Sequence, residues 1–64
     1  MEFKDRLSKL ITESGKTQRK AAHDVGITPA AMCRYVNGSR LPTMRTLVLM
    51  KRSFGCTWED LMGE

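Results

Sequence analysis

The sequence predicts an all-α protein of five short helices around one core, and three observations carry that expectation. Apolar residues recur at spacings of three and four along almost the whole 64-residue chain, the period of one face of a helix. Glycines fall where those periodic runs end, at Gly15, Gly26, Gly38 and Gly55, and glycine stops a helix readily because it takes positive φ without a Cβ clash. The sequence shows no strand-like alternation, internal repeat or low-complexity segment.

The first helix is expected over residues 2–14, with Phe3, Leu7, Leu10 and Ile11 on one stripe and Lys4, Arg6, Lys9 and Glu13 outside. The second covers residues 17–25, where Ala21, Ala22 and Val25 share the inward face. Gly26 ends it in a sharp turn. Thr28 then offers a hydroxyl cap and Pro29 stands at the first helical position, where its missing N–H costs nothing, so a third helix covers residues 29–37. Asn37 and Gly38 mark a turn that continues as a loop through Pro42. Thr43 caps a fourth helix over about residues 43–54, with Met44, Leu47, Val48, Met50 and Phe54 apolar. In the fifth, over residues 57–62, Trp58, Leu61 and Met62 face one side. Glu59 and Asp60 occupy its first turn, where the helix dipole favours negative charge.

Length and composition bound the function. Residues 1–64 read as a single small domain, of a size that buries only about 60% of its unfolded surface, so helix packing or pairing of chains must contribute. No apolar run approaches the roughly 20 residues of a membrane span, and no signal peptide opens the chain; a cytoplasmic protein with no membrane partner is expected. Cys33 and Cys56 are too few for a disulfide scaffold, lack CxxC spacing, and read as reduced packing residues. With only His23 beside them they cannot complete a four-ligand zinc site in one chain, and no metal or cofactor is expected. No Ser/His/Asp set, paired carboxylates or Gly-rich phosphate loop is present, so an enzyme is not expected.

Residues 18–35 carry the most information. Ala22, Gly26, Ile27, Met32 and Tyr35 stand at the intervals of a helix-turn-helix: Ala22 is small where two helices approach closely, while Ile27, Met32 and Tyr35 fill the angle between them. The charge agrees. Of the net +4, the first fifteen residues contribute nothing and the last nineteen are slightly acidic. Residues 16–45 hold Lys16, Arg19, Lys20, Arg34, Arg40 and Arg45 against Asp24 alone. A basic segment coinciding with this motif points to double-stranded DNA.

The chain resembles the phage repressor and Cro family of helix-turn-helix regulators, the lambda-repressor-like or XRE type, over nearly its whole length. Gly15-Lys16-Thr17-Gln18 is similar to the family's lead into helix 2, and Ala22 and Gly26 match its motif. Asn37-Gly38 resembles its exit from helix 3, Leu41-Pro42-Thr43 its lead into helix 4, and Gly55 through Leu61 its last helix. Two departures stand out. The family usually has Arg where this chain has Ile11 and Glu where it has Val36, a partly buried ion pair between helices 1 and 3; an apolar contact between Ile11 and Val36 is expected instead, an exchange that need not destabilise because desolvating two charges is expensive. Leu49 is apolar where the family commonly has an exposed polar residue, and reads as interface or as a tolerated surface leucine.

The resemblance implies a transcriptional regulator, a repressor of this type, whose third helix enters the major groove. Its outward residues, Thr28, Pro29, Ala30, Cys33 and Arg34, are the expected base readers. Of these only Arg34 can pair bidentately, with guanine O6 and N7, so one G is expected in each half-site of a palindromic operator. Pro29 and Ala30 offer apolar contact to thymine methyl groups; Cys33 offers the same or a structural contact between helices. Gln18 is the first choice for a phosphate contact, because it lies at the start of helix 2 and the family uses the matching Gln this way. Thr17, Arg19, Asn37, Ser39, Arg40 and Arg45 follow it, whereas Lys16, Lys20 and His23 are expected to face solvent. A homodimer, at least on DNA, is expected through Leu49, Trp58, Leu61 and Met62, with Trp58 and Leu61 equally readable as core. The competing reading is a protein-interaction module, antitoxin-like or regulator-binding, that keeps the fold without using it on DNA.

Overall fold

The computed structural model describes residues 2–63 and contains, in order, α1 (Phe3–Ser14), α2 (Gln18–Val25), α3 (Pro29–Asn37), α4 (Met44–Phe54) and α5 (Trp58–Met62). Among these residues there is no strand, and no helix is long and apolar enough to cross a membrane.

Local chemistry sets the helix limits. Thr17, Thr28, Thr43 and Thr57 each accept, through the side-chain oxygen, the backbone N–H of the third helical residue, at 3.1, 3.1, 3.3 and 3.0 Å. Each threonine has extended backbone and so stands outside its helix. Three helices therefore start one residue later than the spacing predicts, and α1 does likewise behind Glu2, whose N–H donates to the Asp5 carboxylate at 3.2 Å. The turn that matters most for the site is at Gly26. Its φ of 94° lets both its own N–H and that of Ile27 reach the Ala22 carbonyl, each at 3.0 Å. The chain thereby leaves α2 and reaches Thr28 within two residues.

Packing follows the apolar stripes. The buried core consists of Leu7 and Ile11 from α1, Ala21, Ala22 and Val25 from α2, Met32 from α3, Leu47 and Met50 from α4, and Leu61 from α5. Phe3, Leu10, Ile27, Tyr35, Val36, Phe54 and Cys56 pack against it, half-buried. The tightest helix pairing is α2 on α3, and α1 lies against both α3 and α5. Ile11 is in the buried core and Val36 packs against it, on two helices that lie together.

Three expectations are corrected and one open choice, at Leu61, is decided in favour of the core. Met44 is 68% exposed, because it is the first residue of α4 and lies beyond the end of the core; Val48, on the flank of the Leu47–Met50–Phe54 stripe, is also exposed. Cys33 is exposed rather than packed. Lys4 and Arg6 are half-buried rather than largely outside: the Lys4 stem lies across Gly38 and the Arg6 guanidinium against Gly63, where an added Cβ would collide with each. Leu61 is fully buried and is core, not a free interface residue. Leu61→Ala is therefore expected to cost about 2–5 kcal/mol at any protein concentration. Met62→Ala should be nearly silent in dilute solution and destabilise only where chains pair, which urea melts at two concentrations would separate.

Candidate nucleic-acid interface

Helix α3 divides its residues cleanly. Met32 is buried and Ala31, Tyr35 and Val36 half-buried, while Pro29, Ala30, Cys33, Arg34 and Asn37 are exposed, as expected when outward positions recur every three to four residues. The Thr28 hydroxyl is occupied as an acceptor by the Ala31 N–H, yet its own proton remains free to donate. Arg34 is anchored through its backbone: its carbonyl accepts the Ser39 N–H at 3.0 Å and the Ser39 hydroxyl at 3.3 Å. The main chain at Arg34 is pinned while its side chain stays in solvent.

The phosphate candidates lie at the two flanks of this helix in sequence. On α2, Gln18 and Arg19 are exposed and occupy the first two helical positions. Among the described residues no acceptor meets their N–H groups, whereas those of Lys20 and Ala21 bond to Thr17, so the helix start presents two free donors. Thr17 keeps a hydroxyl proton to donate. After α3, Asn37 Oδ1 accepts the Ser39 N–H at 2.9 Å, which orients the Asn37 amide and leaves its NH2 free. Ser39 differs from the others: both its N–H and its hydroxyl are donated inward, so it shapes the turn and has no donor left for a phosphate. Arg40 and Arg45 are exposed. Among the described residues none of Arg19, Arg34, Arg40 and Arg45 is in an ion pair.

The lysines behave otherwise. Lys16 Nζ lies 2.7 Å from Asp24 Oδ2 and Lys20 Nζ 3.1 Å from Asp24 Oδ1, and His23 Nδ1 stands 3.6 Å from the same carboxylate. Hydrogen bonds from the Lys16 and then the Lys20 side chain hold the Asp24 carboxyl at about 2, against the partial desolvation that would raise it. Lys16 is thus half-buried where the sequence predicts a solvent-facing side chain, while Lys20 and His23 are exposed as expected; Asp24 is the residue that sequence reasoning passed over. Its i, i+4 spacing from Lys20 was the available signal.

Of the remaining surface, Leu49, Trp58 and Met62 are exposed, with the Lys51 ammonium 5.7 Å from the Trp58 ring centre, a cation–π contact. Burial pushes the Cys56 thiol up. Among the described residues no group of three His, Cys, Asp or Glu side chains is gathered as a metal would require.

A family model described as helix-turn-helix matches residues 7–61, a span that contains the α2–Gly26–α3 unit and every residue of the buried core. The chain belongs to the helix-turn-helix family. This is a family of DNA-binding regulators rather than enzymes. The helix-turn-helix chain is similar to the cryptic phage CTXphi transcriptional repressor RstR of Vibrio cholerae serotype O1 (strain ATCC 39315 / El Tor Inaba N16961). The two are 32% identical over 63 residues, which is 98% of this chain and 56% of the relative. The chain therefore spans about half the length of that relative. No solved structure matches it.

Proposed function

We propose that this protein is a sequence-specific, double-stranded DNA-binding transcriptional repressor that acts in the cytoplasm and reads the major groove with α3. The observation that carries the reading is the outward face of that helix. Arg34 is exposed there, free of any ion pair among the described residues, while the same helix anchors the motif through Met32 and Tyr35. An exposed guanidinium on a rigid helix fits guanine O6 and N7 bidentately, and the name of the similar phage protein, a transcriptional repressor, agrees with the assignment.

In this reading Arg34 selects a G in each half-site, Pro29, Ala30 and Cys33 contact apolar groove surface, and Thr28 donates its hydroxyl proton at the groove edge. Gln18, Arg19 and Thr17 hold one phosphate stretch at the start of α2, and Asn37, Arg40 and Arg45 hold another. Ser39 supports this second group by shaping the turn. Two copies pair through Leu49, Trp58 and Met62 on a palindromic operator, with half-sites about one helical turn apart.

Selection of bound sequences from a random duplex pool, followed by sedimentation with and without the selected site, tests all of this. A palindrome carrying a conserved G in each arm, bound by two chains, is the expected result. Absence of enrichment even at low salt would instead favour a protein-interaction module.

A further inference from the structure

Lys16 and Lys20 bracket Thr17, Gln18 and Arg19, the turn at which α2 presents its free N–H groups. Six cations lie between residues 16 and 45, yet four are unpaired among the described residues and two converge on one carboxylate. The Asp24 side chain is 23% exposed, that of Lys16 31% and that of Lys20 58%, so the Lys16 contact is the more sheltered of the two. Lys16 also precedes the helix while Asp24 stands near its end, so the contact runs along the whole of α2.

We propose that Asp24 acts as an internal substitute for a DNA phosphate. It occupies the ammonium groups of Lys16 and Lys20, which bracket the N-terminal turn of α2 in sequence, and so keeps non-specific backbone binding low and leaves site choice to α3. A carboxylate offering one oxygen to each ammonium matches what a phosphate would offer. Neutralised lysines release no counterions from DNA, and each phosphate contact not made lowers affinity for every sequence alike. Asp24 is in this sense a specificity-determining residue that touches no base. The inference rests on the DNA-binding reading above.

The test is the salt dependence of binding to a non-specific duplex by the whole chain and its variants. Wild-type protein, Lys16→Gln and Lys20→Gln should share one slope of log affinity against log salt, because neither lysine reaches a phosphate. Asp24→Asn should steepen that slope by about 0.9 for each lysine released, up to about 1.8 for both. Adding both lysine substitutions to Asp24→Asn should restore the original slope. Glu59→Gln, an equal change of charge at an exposed residue of α5, should leave it unchanged.

The ratio of operator to non-specific affinity should fall in Asp24→Asn alone. Three outcomes overturn the proposal: a slope for Asp24→Asn no steeper than for Glu59→Gln, a slope already reduced by either single lysine substitution, or a lowered Tm for Asp24→Asn with an unchanged slope, which marks a purely structural strap. A wild-type chain that binds no duplex at low salt overturns the DNA-binding reading as well. Binding with an unaltered slope in Asp24→Asn overturns only the role of Asp24.

Discussion

Arg34→Ala is expected to fold normally and to bind its operator more weakly by about 1–3 kcal/mol per half-site, with preference lost at one base pair in each arm. That is a loss of roughly 5- to 150-fold per half-site. The fold should survive because the side chain is exposed and in no ion pair among the described residues, and the bonds that pin this position use only its backbone carbonyl. Competition with operators altered one base pair at a time would check it. Wild-type preference at every position in the Arg34→Ala protein would remove Arg34 from the reading role. A uniform weakening across all sequences would make it a phosphate contact.

The largest effect on the docking of α2 with α3 is expected from Ala22→Leu. Ala22 is fully buried in the tight pairing of α2 with α3, and its carbonyl receives the two N–H groups that close the turn at Gly26. Extra methylenes have nowhere to go, and overpacking of this kind costs typically 1–3 kcal/mol. In a domain whose single core supplies only about 3–5 kcal/mol, such a loss should lower Tm on the order of 10 °C. Because the intruding side chain pries apart the two helices that must dock together, DNA binding should fall even at temperatures where the chain is still helical. Circular-dichroism melts beside binding isotherms would show this. A melt indistinguishable from wild type would mean that α2 and α3 have more room than their pairing implies.

Most of the fold was legible because the signals were local. A threonine before each of four helices and a glycine after each are read directly from sequence, and the three-four spacing of Leu7 and Ile11, or of Leu47 and Met50, already names the buried faces. The misreadings came from position within a helix. Met44 has the right spacing but sits where α4 extends past the core. The outward side of α3 was equally legible, since Met32 and Tyr35 fix which way the helix is turned. The ion pairs of Asp24 were harder to see: Lys16 lies outside α2, and only the path of the chain into that helix brings it within 2.7 Å of a residue eight positions later. The Ser39 hydroxyl was hard to place for a related reason, its bond running to a carbonyl five residues back.

The division of α3 between Met32, Tyr35 and Val36 on one side and Pro29, Ala30, Cys33 and Arg34 on the other has a bearing on how such a regulator can diverge. Ala30, Cys33 and Arg34 carry little packing, and exchanges at exposed positions of that kind usually alter stability by no more than about 0.5 kcal/mol. They form a small alphabet that mutation can respell without asking the rest of the molecule to adjust. A duplicated copy could drift from one operator to another by changes at these three residues alone, with folding never standing in the way.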